Sequence, residues 1–309
     1  MRVLVTGAAG FLGRHFVQHH LDEGDEIIAV DDLSSSGAYW LDGAYVRIED
    51  EALLVLAFLG VRDEHFDIAY HFAAPVGGRE KIEGDPLYNA HSLALDEGFF
   101  RWAIGRAGTA VYPSSSAVYG TKYQARGGGS LTEEMFAPSA DEWARPDEMY
   151  GFTKMAGEVL AQKAERYGLN TLCIRPFSGY GEGQSMDYPV PSICARAKRQ
   201  EDPLIVWGSG SQTRDFIHVS DLVGATAAIV SAGVSGYQAI NLGLGVPVSF
   251  IEVARFAAEI IGYEPVIQTD EAKPEGVISR YSQPDRMLAI YQPRVSLIEG
   301  LTRVIASLE

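Results

Sequence analysis

The chain is poor in cysteine and has no long apolar run. Its 2 cysteines, Cys173 and Cys194, both lie in apolar stretches, which favours two buried thiols in a reducing cytoplasm over a disulfide. No apolar run approaches the roughly 18 residues that a membrane span needs. Arg2 stands directly before a strand-like run, so we expect neither a span nor a signal peptide. Together these features predict a cytoplasmic protein.

Positive charge is also scarce. The 309 residues include 25 Lys and Arg against 41 Asp and Glu, which gives a formal net charge of −16. Such a surface repels both the nucleic-acid backbone and anionic lipid, so nucleic acid and membrane are not expected as partners. A ligand that carries phosphate must then be held by a few local cations and by helix N-termini.

The sequence is rich in strand-like runs that alternate with helical segments. Strands are predicted at residues 2–6, 26–30, 68–72, 110–112 and 171–174, and helices at residues 11–22, 52–59, 91–104 and 151–167. This alternation predicts an α/β fold in which helices cover both faces of a parallel sheet, the doubly wound Rossmann arrangement. From about Arg175 the pattern becomes irregular, so we expect a smaller C-terminal substrate-binding lobe over the C-terminal edge of the sheet.

Three glycines, Gly7, Gly10 and Gly13, stand between the first predicted strand and the first predicted helix. A dinucleotide site needs a tight turn there, backbone that the pyrophosphate can approach closely, and close packing of the helix on the sheet. Each of these requirements is met by a residue that has no side chain, which is glycine. The N–H groups of the helix start, around Phe11 and Leu12, then face the diphosphate. The pattern predicts a dinucleotide cofactor at this end of the sheet.

The second predicted strand ends at Asp31 and Asp32. Asp31 can accept hydrogen bonds from both hydroxyls of an adenosine ribose, whereas a 2′-phosphate would meet two carboxylates with no arginine nearby in the sequence. The cofactor is therefore predicted to be NAD rather than NADP. Asp32 is a further candidate contact, although a loop or helix-capping acid is the simpler interpretation.

Tyr150 and Lys154 are four residues apart at the start of a predicted helix, so their side chains share one face. An ammonium beside a phenol favours the phenolate, which can take the proton of a sugar hydroxyl while hydride leaves the same carbon. A Tyr/Lys pair alone is more often only surface. The serine cluster at 114–116, just past the strand at 110–112, changes that interpretation, because a hydroxyl there can share the proton and orient the substrate oxygen.

Six motifs together resemble those of the extended short-chain dehydrogenase/reductase family, the nucleotide-sugar epimerases and dehydratases, and most of all the UDP-hexose 4-epimerases. They are TGAAGFLG at 6–13, HFAA at 71–74, SSSAVYG at 114–120, YGFTK at 150–154, RPFSGYG at 175–181 and RDFIHV at 214–219. They follow the family order along nearly the whole chain. The resemblance implies an NAD-binding Rossmann domain of residues 1–174 plus about 213–240, and a nucleotide-sugar lobe of residues 175–212 plus about 241–309.

The resemblance also assigns roles to single residues. Ser115, Tyr150 and Lys154 would form the catalytic triad. The remaining candidates comprise Ala73, Ala74 and Pro176 beside the cofactor, Ser116 and Ser178 beside the substrate, and Arg214 and Arg280 on the diphosphate of the sugar nucleotide. For Arg280 an exposed loop arginine is the alternative. Trp207 and Phe216 could flank the nucleobase, but core packing is the simpler interpretation for both.

Several positions that distinguish reactions within the family carry no catalytic group here. The 4,6-dehydratases have a threonine-aspartate-glutamate segment where this chain has Ser115, Ser116 and Ala117. UDP-glucuronate decarboxylases carry a glutamate at the position of Ala117. GDP-sugar 3,5-epimerase/reductases carry a cysteine there and a histidine near Gly183, although residues 73–78 do resemble those enzymes. With only the triad present, epimerisation at C4 through a transient 4-keto sugar is the simplest reaction.

Some departures from the family pattern leave the substrate open. Ser178 replaces the usual asparagine, Ser92 replaces a core asparagine, and Arg47 stands where an aspartate usually meets adenine. The segment between residues 120 and 150 is long, so we expect it to shape an unusual pocket. Its distinctive side chains are Trp143, Arg145, Asp147 and Glu148.

The sequence leaves alternatives to 4-epimerisation open. A 4-keto reductase or dehydrogenase and a 4,6-dehydratase are the enzymatic alternatives, and an NAD sensor without chemistry is the non-enzymatic one. His15 and His19 have a spacing that zinc sites use, but no third ligand is evident, so no metal site is expected.

The resemblance also implies a homodimer in which the helices at 91–104 and 151–167 form a four-helix interface. Their apolar content supports this, although core packing would explain it equally: Phe99, Phe100, Trp102, Met155 and Val159.

Overall fold

The computed structural model describes residues 1–34, 45–48, 64–75 and 77–308, with only the backbone at residues 45–48 and at Pro86. The predicted helix at residues 52–59 and the side chain of Arg47 lie outside the described residues. No helix in the described part of the chain is long and apolar enough to cross a membrane.

The described residues form fourteen strands and ten α-helices. The strands are β1 Arg2–Thr6, β2 Glu26–Asp31, β3 Tyr45–Ile48, β4 Phe66–His71, β5 Ala107–Pro113, β6 Asn170–Pro176, β7 Gly179–Tyr180, β8 Leu204–Trp207, β9 Thr213–Asp215, β10 Ile217–His218, β11 Tyr237–Leu242, β12 Pro247–Ser249, β13 Ile267–Asp270 and β14 Ser279–Arg280. The helices are α1 Phe11–Asp22, α2 Arg79–Gly84, α3 Pro86–Ala90, α4 Ser92–Ala103, α5 Glu148–Ala164, α6 Pro189–Lys198, α7 Val219–Ala232, α8 Phe250–Ile261, α9 Asp285–Leu288 and α10 Leu297–Ser307.

Seven strands form one parallel sheet in the order β11-β6-β5-β4-β1-β2-β3. The order reverses at β1 and β4, because the chain leaves β1 toward one side of the sheet and β4 toward the other. Such a reversal opens a crevice beyond the carboxyl ends of the two strands, where doubly wound folds bind their ligands. The predicted fold class is confirmed, and the crevice lies beyond Thr6 and His71, where β1 and β4 end.

Helices cover both faces of this sheet. On one face, α1 and α7 bury apolar side chains such as Phe16 and Leu222 against the strands. On the other, α4 and α5 bury a second cluster that includes Phe99, Phe100 and Trp102. These aromatic residues, like Met155, are buried within the single chain, so their apolar character is explained by core packing and gives no support to an interface.

A third apolar cluster belongs to the C-terminal part of the chain, where α6, α8 and α10 pack together around residues such as Ile193, Val253 and Val304. Two small sheets, β12-β9-β14 and β13-β8, accompany these helices. The chain returns to the large sheet with β11, so the two regions are interleaved. The domain boundaries themselves stay a prediction. Cys173 and Cys194 are free and buried in different regions, which confirms the prediction of two buried thiols.

Some helix boundaries differ from the prediction. Helix α5 begins at Glu148 rather than residue 151, so Tyr150 lies inside its first turn, and its predicted last residues form a 3₁₀ turn, Glu165–Tyr167. Helix α6, in the region where the sequence pattern is irregular, begins at Pro189. Proline fits the first turn of a helix, where its missing N–H has no partner to lose, so the prolines there mark a start and not an interruption.

Candidate active site

One cavity of about 1070 Å³ opens at the carboxyl ends of the sheet strands and extends toward the C-terminal lobe. It brings together residues that are spread over most of the sequence. All the predicted site residues line it: Gly7, Gly10, Phe11, Leu12, Asp31, Asp32, Ala73, Ala74, Ser115, Ser116, Tyr150, Lys154, Pro176, Ser178, Arg214 and Arg280. Their individual roles stay predictions, but all of them lie in one cavity, which has one end at the sheet and the other toward the C-terminal lobe.

At the sheet end, the turn between β1 and α1 has no room for side chains. Gly7 has φ +65°, and a Cβ atom added to it would lie 2.4 Å from the carbonyl carbon of Phe72 and 2.5 Å from the nitrogen of Ala73. A Cβ on Gly13 would lie 2.0 Å from the Gly7 carbonyl oxygen. Gly10 precedes α1 and has no side chain to cap the first turn. These residues therefore fit a dinucleotide whose diphosphate lies against bare backbone at a helix start.

Asp31, at the end of β2, is only 6% exposed. Its Oδ2 accepts a hydrogen bond from the Ala9 N–H at 2.8 Å, and its Oδ1 accepts one from the Leu33 N–H at 2.7 Å. Burial raises the pKa of the Asp31 carboxyl, and these N–H groups oppose that rise. Asp31 thus already links β2 to the glycine turn, while each carboxylate oxygen keeps a lone pair for a ribose hydroxyl.

Asp32 behaves as a loop acid. Its Oδ1 accepts hydrogen bonds from the Ser34 N–H at 2.9 Å and from the Ser34 hydroxyl at 2.7 Å. Side-chain contacts of this kind close a short turn. The carboxylate nevertheless lines the cavity beside Asp31, and its charge disfavours an additional phosphate there.

In the middle of the cavity, Tyr150 and Lys154 lie on one face of α5 opposite the serine cluster. Lys154 is 3% exposed, and its Nζ lies 6.0 Å from the centroid of the Tyr150 ring and 5.0 Å from that of Tyr112. Ser115 precedes a 3₁₀ turn, Ser116–Val118, and its Oγ accepts the Ala117 N–H at 3.1 Å. Its own hydroxyl hydrogen therefore remains available to a substrate oxygen.

The serine cluster is held from behind by a buried ion pair. Glu158, one turn after Lys154 on α5, accepts hydrogen bonds from Arg175 Nε at 2.8 Å and Nη2 at 2.7 Å. The Ser114 hydroxyl also donates to Glu158, and the Arg175 Nη1 group donates to the Tyr119 hydroxyl at 2.9 Å. Both charges are fully buried, and the many hydrogen bonds offset their desolvation. This network fixes the backbone on both sides of Ser115.

Ser178 follows β6 with a left-handed backbone, φ +37°. Asparagine is favoured over other non-glycine residues in that region, which gives a physical reason for the asparagine that the family usually has there. Serine instead accepts some strain at a position that lines the cavity, and strain of this kind concentrates at functional sites.

At the far end of the cavity, three arginines lie close together, and two of them share one carboxylate. The Arg79 Nη1 group donates to both oxygens of Asp147 at 2.8 Å, and Arg280 Nη2 donates to Oδ2 of Asp147 at 2.6 Å. Arg214 Nη1 donates to the carbonyl oxygens of Thr213 and Val277. Burial, followed by the charge of Arg280, lowers the pKa of Arg214 to about 9, which still leaves a cation at neutral pH.

Arg79 was not identified from the sequence, and Asp147 was named only as one side chain of a segment expected to shape the pocket. Asp147 was only one of several charged residues in a long loop. Arg79 follows Gly77 and Gly78 at the start of α2, and a cation after a glycine pair in a chain this acidic is a readable signal. Only the fold brings it next to Arg280, because about 200 residues of sequence separate the two. The three arginines and their two carboxylate partners, Asp147 and Glu83, leave a net positive charge of about one at this end, which suits an anion such as a diphosphate.

The two aromatic candidates differ. Phe216 is 4% exposed and packs edge-on against Tyr180 and Phe250 in the C-terminal cluster, although its edge reaches the cavity. Trp207 is half-buried at the cavity wall, with Lys273 Nζ 4.7 Å from its ring centroid. Core packing therefore explains Phe216, whereas Trp207 presents a ring to the cavity.

A separate cluster joins α1 to the segment after β7. Nε2 of His15 lies 3.3 Å from the Glu182 carbonyl oxygen, and Nε2 of His218 lies 3.0 Å from the Glu182 carboxylate. Burial, reinforced by the charge of Arg14, lowers the pKa of His15 to about 4. The hydrogen bond with His218 lowers the pKa of Glu182 to about 2. Among the described residues, no group of three or more His, Cys, Asp or Glu side chains could hold a metal ion.

Comparison with known proteins agrees with this geometry. The model of the NAD dependent epimerase/dehydratase family matches residues 3–243. A dTDP-4-dehydro-6-deoxy-D-allose reductase of Streptomyces bikiniensis is 30% identical, with 92% of this chain and 89% of that protein covered. A UDP-glucose 4-epimerase of Mycolicibacterium smegmatis is 29% identical, with 99% and 97% covered. The solved structure of MoeE5 with UDP-glucose and NAD is 30% identical, has a TM-score of 0.81, and covers 99% of this chain and 98% of that one.

Proposed function

The chain belongs to the NAD dependent epimerase/dehydratase family. We propose that, with NAD as its cofactor, it inverts the configuration at C4 of the sugar in a nucleotide-diphosphate sugar. The observation that carries this proposal is the order of groups along one cavity. The glycine turn and Asp31 lie at one end, the triad Ser115, Tyr150 and Lys154 lies in the middle, and the arginines lie at the other.

Each group then has a defined task. The residues around Gly7 and Gly10 hold the cofactor diphosphate, and Asp31 holds the adenosine ribose. Bound NAD supplies the ring that takes hydride from the sugar and gives it back. Tyr150, as phenolate, removes the proton of the C4 hydroxyl and later returns a proton to the 4-keto oxygen. Lys154 stabilises the phenolate by its charge, and Ser115 donates a hydrogen bond to the reacting oxygen.

Epimerisation is favoured over water loss by the chemistry beside that oxygen. Elimination needs an acid and a base to move protons next to the ketone. Positions 115–117 carry two serines and an alanine, so no carboxylate or thiol follows the serine cluster. The 4-keto sugar must also turn over in the pocket between its oxidation and its reduction, so that the product has the opposite configuration at C4.

The decisive experiment is incubation of the purified protein with NAD and a panel of sugar nucleotides that includes UDP-glucose and UDP-glucuronic acid, followed by chromatography. We expect one of them to be converted to its C4 epimer without net change in NAD. Substrate that carries deuterium at C4 should keep its label in the product. Loss of label to solvent would indicate deprotonation next to a ketone and would contradict the proposal.

A 4-keto reductase is the second candidate, because the reductase of Streptomyces bikiniensis is as similar to this chain as the epimerases are. The same triad would then protonate the 4-oxygen of a keto sugar while the reduced cofactor is consumed. The two functions differ in stoichiometry. A reductase oxidises one reduced cofactor for each product molecule, whereas an epimerase works with catalytic NAD.

We also propose that the protein is a cytoplasmic homodimer. The outward face of α5 carries Phe152, 49% exposed, and the partly exposed Ala156 and Val159 at helical spacing. This stripe supports an interface through α5 better than the core aromatic residues do. The two buried thiols suit a reducing compartment. Light scattering should give twice the chain mass, and a monomer at micromolar concentration would contradict the proposed assembly.

A further inference from the structure

Asp147 lies between the arginines proposed to bind the diphosphate and the helix that carries the proposed base, Tyr150. Its carboxylate is 5% exposed and is shared by Arg79 and Arg280, at the end of the cavity where we place the diphosphate. Its backbone immediately precedes α5, and Tyr150 follows three residues later. One residue therefore contacts the proposed anion-binding groups and also begins the helix that carries the proposed base.

Asp147 leaves the arginines able to bind a ligand. Arg79 directs Nη1 to Asp147 and Nε to Glu83, and Arg280 directs Nη2 to Asp147 and Nε to Gln124. Nη2 of Arg79, Nη2 of Arg214 and Nη1 of Arg280 donate to no other described residue. A planar guanidinium with some donors fixed keeps the others in a defined direction. The carboxylate thus orients the groups and does not block them.

The start of α5 departs from usual helix geometry in two ways, in its capping and in its backbone conformation. An aspartate that precedes a helix normally accepts N–H groups of the first turn, which stabilises the helix. Asp147 makes no such cap, because its side chain is turned to the arginines. Glu148, the next residue, has φ +56°, a left-handed conformation that costs energy for a glutamate. Both costs fall on the short connection between the arginines and Tyr150.

The same connection also touches the serine turn. The Asp147 N–H donates to the Ala117 carbonyl oxygen at 3.0 Å, and the Gly151 N–H donates to the Asp147 carbonyl oxygen at 2.8 Å. A Cβ on Gly151 would lie 2.4 Å from the Ala117 carbonyl oxygen, so helix and turn are in close backbone contact. A displacement of Asp147 would therefore move the first turn of α5 relative to Ser115.

We propose that Asp147 is a positioning residue that couples occupancy of the arginine site by a diphosphate to the placement of Tyr150. When phosphate oxygens engage the remaining guanidinium donors, Arg79 and Arg280 become fixed, and through Asp147 they hold the strained start of α5 against the serine turn. The inference rests on the proposed function, because it takes Arg79, Arg214 and Arg280 as the diphosphate site and Tyr150 as the base.

Hydrogen–deuterium exchange of the segment 147–154 tests the coupling without any turnover. The probe is UDP alone, at a concentration that saturates each variant by calorimetry. In the wild type we expect UDP to slow exchange of the amides in this segment, because exchange reports local opening. In Asp147→Asn the arginines should still bind UDP, but the slowing should be lost. Its kcat at saturating sugar nucleotide should fall roughly 10- to 100-fold through misplacement of the base.

Glu148→Gln is the matched control. It removes the same charge one residue away, from a side chain that is 47% exposed and only 3.8 Å from the surface residue Arg145. We expect wild-type exchange and kcat from it. Asp147→Glu keeps the charge and should restore part of the slowing, and it serves as the test variant if Asp147→Asn does not fold.

Several outcomes would overturn the coupling. They are an Asp147→Asn protein with wild-type slowing and kcat, an equal loss in Glu148→Gln, or UDP that binds the wild type without slowing exchange of the segment. Failure of UDP to bind at all would also overturn it. A wild type in which UDP slows exchange, but which converts no sugar nucleotide, would instead contradict the proposed function and leave the coupling standing.

Discussion

The two ends of the cavity are built in different ways. The sheet end is centred on the backbone turn at residues 6–13, which has no room for side chains, and Asp31 and the backbone of Phe72 and Ala73 pack against that turn. The far end is formed by guanidinium groups from three segments that are distant in sequence, at Arg79, Arg214 and Arg280. The central turn of the first end is therefore encoded in one short segment, whereas the second end exists only after three distant segments have come together. Substitutions at the two ends should therefore affect different measurements.

The largest effect is expected where the two ends meet. Tyr150→Phe keeps the ring but has no proton to exchange, so kcat should fall roughly 10²- to 10⁴-fold, the usual contribution of a positioned base. NAD and UDP should both bind as in the wild type, because each end of the cavity is unchanged. Steady-state kinetics together with calorimetry for each ligand would check this.

Ser115→Ala is the matched comparison, since it removes one hydrogen bond and leaves the base. Its kcat should fall less than that of Tyr150→Phe. An equal fall in both variants, or a loss of NAD binding in Tyr150→Phe, would contradict the assignment of the phenol as base.

At the far end, Arg214→Met should weaken UDP binding about 10- to 100-fold, the range for one charge-assisted contact. NAD affinity should be unchanged. The thermal midpoint without ligand should change little, because the variant loses the hydrogen bonds to the Thr213 and Val277 carbonyl oxygens but also removes a charge that is costly to bury beside other arginines. Calorimetry and thermal melts would measure both. Equal losses of NAD and UDP affinity would show that the two ends are not independent.

At the sheet end, Asp31→Ala should lower NAD affinity about tenfold and narrow the preference for NAD over NADP. Part of the loss comes from the glycine turn, because the Ala9 N–H loses its acceptor. UDP affinity should be unaffected. Titration of the two cofactors followed by intrinsic fluorescence would test this, and a wild type that binds both equally well would refute the role of Asp31.

The smallest effect concerns the joint between α1 and the C-terminal region. The pKa of His15 is lowered to about 4 from an ordinary value of 6.5, so its neutral form belongs to the folded state. Its contribution to stability is therefore present above about pH 6.5 and is lost as the pH falls through that value toward 4. His15→Gln keeps an N–H donor near the Glu182 carbonyl oxygen and should lose less thermal stability between pH 7 and pH 5.

Glu182 has little effect on that measurement, because its contribution to stability is lost only as the pH falls through its ordinary pKa of 4.5 toward about 2, below the range. His65→Gln is the control, since His65 is exposed. A wild-type acid response in His15→Gln would mean that the histidine does not titrate in this window.

The contrast between the two ends also explains what the sequence could predict. The glycines, Asp31 and the Tyr150/Lys154 pair are separated by spacings that a strand, a turn or a helix fixes locally, and each lies in the cavity. Arg214 and Arg280 were found only through the resemblance to a family. Arg79 was missed, and Asp147 was named without a partner, because no local pattern reports that an α2 residue and a loop carboxylate meet.

The C-terminal region shows the same limit. Strands β8 and β13 are four residues long, pair in parallel across a large sequence separation, and have no alternation that marks them. Helix α8, in contrast, carries a readable signal, because Ser249 and Glu252 form a capping box directly before an apolar helical run. The missed strands are defined by tertiary pairing alone.

The return of the chain to β11 restricts how this protein can be dissected or recombined. Residues 237–242 form the last strand of the large sheet, pair with β6 along its whole length, and come after most of the sugar-nucleotide groups. A fragment that ends near Pro176 would leave β6 as a bare edge of hydrogen-bonding groups, which is a template for aggregation. The cofactor end is therefore not expected to fold as a separate N-terminal fragment. Chimaeras with related enzymes should exchange surface loops within the interleaved chain and not whole terminal halves.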